Sequence, residues 1–196
     1  MRWLGRLTAP FEVGVVFSVG LLAGGVVAGF APAVRAATAF SASTLTGSDD
    51  ATPWRDAVLA WRSGFRASQR ALAVWGLAGL VLSIELGLAI LGLLPGGPAV
   101  VVPLLVVGVY YLRALAVRTL LLLDPRRGAS LGVPWRAALV LPGIRIGSTA
   151  IMGVVALALL LVGLDYPAIG LLFAPGAALL AATWLAERDM DALATR

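Results

Sequence analysis

The chain of 196 residues has no cysteine and no histidine, and it contains neither lysine nor asparagine. Without cysteine there is no disulfide, no thiolate metal site and no thiol nucleophile. Without histidine the usual general base and metal ligand near neutral pH is missing. Charge is scarce, at 13% of residues against about 25% in an ordinary soluble domain. A metal centre would have to come from ten acids, most of them in segments that read as loops, so no metal and no cofactor is expected. All 15 basic residues are arginines and the net charge is +5. They form no basic patch with interleaved aromatics, so no nucleic-acid partner is expected.

What is abundant is apolar surface. Hydrophobic residues make up 60% of the chain, and the mean hydropathy is +0.97. A soluble domain of this size could not hide so much. The reading is a single transmembrane domain over residues 1–196, an all-α polytopic helix bundle in contact with the lipid bilayer.

A bilayer core of about 30 Å takes roughly 20 apolar residues as helix. The runs 11–30, 71–94, 99–123, 146–164 and 167–185 meet or approach that. Pro95-Gly96-Gly97-Pro98 and Asp165-Tyr166-Pro167 read as tight reversals. Arginine placement then sets the topology. Arg55, Arg62, Arg66 and Arg70 lie in one polar segment, and Arg126, Arg127, Arg136 and Arg145 in another, while the two reversals carry none. Five spans would leave Arg2 and Arg6 outside. A sixth, short crossing over 32–46 removes the conflict; it would span only about 22 Å, with Arg35 snorkelling at its outer end. Six transmembrane helices, the second short, are therefore expected, with cytoplasmic segments 47–70 and 124–145 and both termini cytoplasmic. Arg2, Arg6 and the apolar run before Ala33-Val34-Arg35-Ala36-Ala37 have signal-peptide form. The run is longer than the usual 7–15 residues, so a retained span is expected.

The two cytoplasmic segments resemble each other. Pro53-Trp54-Arg55-Asp56-Ala57 is matched by Pro134-Trp135-Arg136-Ala137-Ala138, and Gly64-Phe65-Arg66 by Gly143-Ile144-Arg145. Proline suits a first helical turn and Thr52 a cap before it. Trp54, Ala57, Val58, Trp61 and Phe65 recur at helical spacing, with Arg55, Arg62 and Arg66 beside the stripe. This predicts two interfacial amphipathic helices, tryptophan at headgroup depth and arginine toward phosphate or water. Trp54, Arg55, Trp61, Arg62, Phe65, Arg66, Trp135 and Arg136 are the candidate interfacial or docking residues. The match also suggests a parallel internal repeat of inward span, interfacial helix and outward span.

The long first span, then Phe30-Ala31-Pro32-Ala33 opening an alanine-rich helix, the acidic turn Asp49-Asp50, Trp54-Arg55-Asp56 and Trp61-Arg62-Ser63-Gly64-Phe65-Arg66 together resemble the YesL-like family of small bacterial integral membrane proteins, a domain of unknown function. The resemblance implies a protein of the bacterial cytoplasmic membrane, often found near carbohydrate uptake systems. It carries no established catalytic or binding residues.

Ionisable groups at membrane depth are candidates for function. Glu12 lies one turn into the first span, near the cytoplasmic face. Glu85 lies roughly 16 Å below the outer reversal by helix rise, with Tyr110 roughly 21 Å and Arg113 roughly 25 Å down the next helix. A Glu85–Arg113 pair with Tyr110 or Tyr111 between is expected, as a polar relay or as a packing pair. Gly20-x3-Gly24 and Gly25-x3-Gly29 allow close helix approach, and Pro175-Gly176 should kink or break the last span.

No histidine-rich, cysteine-based or paired-carboxylate constellation points to an enzyme. The expected function is a membrane accessory protein associated with a carbohydrate uptake (ABC-type) system, its partners being permease or ATPase subunits or a second copy of the chain. The alternative is a small-molecule transporter or a substrate-binding membrane subunit.

Overall fold

The computed structural model describes residues 2–46, 52–124 and 134–194. Asp49, Asp50, Arg126 and Arg127 lie outside the described residues. Those described are almost wholly helical: α1 (Arg2–Ala23), α2 (Val26–Thr46), α3 (Pro53–Ser63), α4 (Phe65–Ile90), a 3-10 turn (Gly97–Val100), α5 (Val101–Leu123), α6 (Pro134–Ile144), α7 (Ile146–Asp165) and α8 (Pro167–Ala194). They form one bundle. Among the described residues α4, α5 and α7 are each long and apolar enough to cross a membrane, and the apolar helices 8–23 and 135–144 are shorter.

The first span ends earlier than its hydropathy suggests. The chain reverses at Gly24-Gly25, where Gly25 takes φ +70°, a left-handed conformation that costs glycine little and other residues more. The amide of Gly25 donates to the carbonyl of Leu22 at 3.1 Å to close the turn. The expected spans 11–30 and 32–46 are thus replaced by helices of 22 and 21 residues, and the second is not short. An unbroken apolar run hides a turn made of two glycines.

Pro32 consequently lies inside α2 rather than at its start. Proline has no N–H, so the carbonyl four residues back loses its helical donor. That carbonyl belongs to Ala28, and the side-chain amide of Gln69 donates to it. Arg35 is near the middle of α2 and not at an outer end. Its guanidinium rests against Gly64, and Nη1 donates to Ser68 Oγ at 3.4 Å.

The internal repeat is present in the architecture. α3 and α6 are both 11 residues long and both begin at the proline of Pro-Trp-Arg. α4 and α7 each start after one break residue, Gly64 in the first unit and Arg145 in the second. The start and end of α6 and the start of α7 each fall 81 positions after their counterparts in α3 and α4. Gly64 therefore corresponds to Arg145, and the Gly-x-Arg match between 64–66 and 143–145 is out of structural register. In both units the short helix packs on the long helix before it. α1 packs on α2 and α8, and α8 packs on α5 and α7.

α8 runs through Pro175 without a break. Gly176 lies so close to Pro10 O and the Gly14 backbone that a Cβ there would overlap both. This position serves the α1–α8 crossing rather than a break, and the helix continues to Ala194, well past the expected end at 185.

Candidate functional site

The expected Glu85–Arg113 pair does not form. Arg113 is wholly buried on α5 (0% exposed), and its Nη2 pairs with Asp189 Oδ2 of α8, itself 5% exposed. Nη1 donates to the Ala182 carbonyl at 3.3 Å. Ser148 Oγ, at the start of α7, donates to Asp189 Oδ1 at 2.8 Å. One charge pair thus ties α5, α7 and α8 together, while the Arg113 Nε is buried without a partner. Burying two charges is tolerated only where each is paired and hydrogen-bonded, and the carboxylate here meets both an arginine and a hydroxyl.

Glu85 is exposed on α4. Because that helix ends at Ile90, and not near Gly96, Glu85 is about 7 Å from its outer end by helix rise. Tyr110 does not bridge a pair either; its hydroxyl donates to the Leu139 carbonyl and fastens α5 to α6. The neighbouring Tyr111 donates to Trp75 O at 2.7 Å and fastens α5 to α4. Asp189 and Ser148 were not legible as partners. Asp189 sits in a charged stretch (Glu187, Arg188, Asp191) that reads as a tail beyond the last span. Glu12 accepts a hydrogen bond from Thr8 Oγ1 at 2.7 Å on an exposed face.

The same arrangement has a counterpart in the first unit. Arg35 of α2 contacts Ser68 in the first turn of α4, as Arg113 of α5 reaches, through Asp189, Ser148 in the first turn of α7. Only the second arginine meets a carboxylate among the described residues.

The short helices repeat their faces residue for residue. Ala57 and Ala60 of α3 are buried, as are Ala138 and Leu141 of α6. Trp54, Val58 and Leu59 are exposed, as are Trp135, Leu139 and Val140; Arg55 and Arg136 are exposed beside them. Trp54 and Trp135 keep 50% and 51% of their surface. Of the expected stripe, Ala57 turns inward, Trp61 and Phe65 are half-buried, and Trp54 and Val58 are exposed. The small residues Ala57 and Ala60 face α2, because only small side chains let two helix backbones approach closely, and Trp54 and Val58 lie on the open side. Three contacts clamp α3: Ser43 Oγ donates to Asp56 Oδ2 at 2.8 Å, Phe40 meets Trp54 edge to face at 5.1 Å between ring centroids, and Trp61 Nε1 donates to Gly20 O at 3.2 Å. Trp61 also stacks edge to face with Phe65. Arg62 and Arg66 are exposed, and the Arg136 guanidinium lies 5.4 Å from the Trp135 ring centroid, a cation–π arrangement.

A cavity of about 920 Å³ opens among the long helices, partly open at its side. Its walls come from α4 (72–86), α5 (104–115), α7 (156–164) and α8 (167–179), and its floor from Phe17, Leu21 and Phe30 at the α1–α2 hairpin. Among the described residues no group of three or more histidine, cysteine or acidic side chains could hold a metal.

One comparison matches part of the chain. The family model described as a protein of unknown function, DUF624, matches residues 13–86, which run from α1 to near the end of α4 and contain the whole α2–α3 pairing. No curated protein and no solved structure matches the chain.

Proposed function

We propose that the chain is a non-catalytic accessory protein of the bacterial cytoplasmic membrane, of YesL-like kind, multi-pass and with both termini cytoplasmic. It works by presenting the open faces of α3 and α6 to a partner, the permease or ATPase subunit of an ABC-type uptake system. One observation carries this reading. Trp54, Arg55, Val58 and Leu59 recur as Trp135, Arg136, Leu139 and Val140, all exposed, on helices whose other side is buried through Ala57 and Ala60 or Ala138 and Leu141. Tryptophan and arginine are the side chains that most often anchor protein contacts, and a rigid helix loses little entropy on docking. A solvated helix face would carry charges and small polar groups in place of Val58, Leu59, Leu139 and Val140.

The test is affinity purification from native membranes in mild detergent, with co-purifying proteins identified by mass spectrometry. Wild-type protein is expected to bring down a transport permease or ATPase, and the W54A/L59S/W135A/V140S variant to come down without it. A wild-type protein that purifies alone, or a variant that keeps its partner, refutes the reading.

The second reading, a small-molecule transport or binding subunit, draws on the cavity. Its apolar lining disfavours a sugar, which needs amides and acids around it.

A further inference from the structure

From its depth and chemistry we infer that the cavity between α4, α5, α7 and α8 binds one acyl chain of a bilayer phospholipid. The wall contributed by 72–86 of α4 is about 21 Å long by helix rise. That exceeds the depth of one leaflet in a hydrocarbon core of about 30 Å. The α1–α2 hairpin stops at Gly24-Gly25, so beyond the turn no helix of the described residues stands between α4 and α8, and a chain can enter from the side.

The chemistry of the lining selects an apolar guest. Its polar side chains include Tyr111, Ser83 and Gln69, and each already donates to a main-chain carbonyl: Tyr111 to Trp75, Ser83 to Gly79 at 2.7 Å and Gln69 to Ala28. Three polar side chains in a lining otherwise made of leucine, valine, alanine, glycine, proline and phenylalanine leave a hydroxylated substrate few partners. Leucine side chains that face an empty space forgo their dispersion contacts, and in a membrane the molecule at hand to restore them is a lipid tail. A helix from a second copy of the chain is the competing apolar occupant, and the test separates the two. This inference does not depend on the docking role of α3 and α6.

The test uses the whole protein in phosphatidylethanolamine vesicles containing phosphatidylglycerol with a diazirine in its acyl chain. After exchange into detergent to strip loosely held lipid, native mass spectrometry counts the lipid retained, and photolysis maps where it lies. The expected result is a monomer with one lipid, labelled on the walls at Leu82, Leu86 and Leu105. The G108F/A156F variant fills the space; a Cβ at Gly108 meets only Leu82, at 3.7 Å. It should retain at least tenfold less lipid, and V74F, on the outward face of α4, the wild-type amount. Wild-type labels confined to outward residues such as Val74 and Val154 would overturn the proposal without any variant. So would a lipid-free dimer, which would put a second copy in the cavity, or equal retention by the filled variant.

Discussion

Gln69 donates its side-chain amide to the carbonyl of Ala28, the acceptor that Pro32 leaves without a helical donor. The chain has a single glutamine, and it is used here, 41 positions from its acceptor, to repair a proline inside a helix. Backbone groups within a bilayer have no water to turn to, so such repairs come from neighbouring helices.

Replacing Gln69 by leucine should therefore destabilise the protein by about 0.5–1.5 kcal/mol, the net worth of one hydrogen bond, since Ala28 is exposed. Pro32→Ala restores the N–H that α2 lacks. On that background Gln69→Leu should cost much less. A double-mutant cycle by thermal unfolding in detergent measures the difference; equal costs on both backgrounds would break the link between the two residues.

Arg113 and Asp189 should behave as one unit. Arg113→Met or Asp189→Leu alone leaves an uncompensated buried charge, which costs about 3–5 kcal/mol. The double substitution should recover most of that loss, while Glu85→Gln should stay within about 0.5 kcal/mol, as exposed positions do. Yields and unfolding midpoints of the four variants decide it, and a large loss from E85Q would return Glu85 to the network.

Gly176→Ala places a methyl group against the Pro10 carbonyl and the Gly14 backbone. Overpacking against main chain, which cannot rotate away, should cost about 1–3 kcal/mol and loosen α1 from α8. Gly147 offers the control. A Cβ there meets nothing within 4 Å, and Gly147→Ala in α7 should be neutral or stabilising by up to about 1 kcal/mol. Parallel unfolding curves of the two variants separate packing from propensity.

The orientation expected from arginine placement is open to labelling, since the chain has no cysteine to remove. A lone cysteine at Leu93 should react with an impermeant maleimide applied to intact cells. One at Arg55 should react only after the membrane is opened. Reversed reactivity would invert the topology and take the docking proposal with it.

Much of the fold was legible. Apolar runs bounded by charge and Pro/Gly turns mark the later helices, because a membrane span needs length and hydropathy and little else. Pro-Trp-Arg, met twice, marked the repeat and the start of both short helices. The α1–α2 turn was not legible, since Gly24 and Gly25 interrupt neither hydropathy nor charge and act only through backbone geometry. On α3 the spacing grouped Trp54, Ala57 and Val58 in one stripe without telling which of them packs inward; Ala57 does, with Ala60, because small side chains permit the closer approach to α2.

Composition by itself determined the class of molecule: too much apolar surface for water, with the charge gathered into a few short segments. Those are sums over residues, and sums need no knowledge of contacts. Which charges meet was decided only by the tertiary structure. Arg113 pairs with Asp189 rather than Glu85 because α8 continues past its apolar stretch and packs on α5. The cavity is equally invisible in the chain, since it exists only where the α1–α2 hairpin turns back and leaves a space among helices distant in sequence.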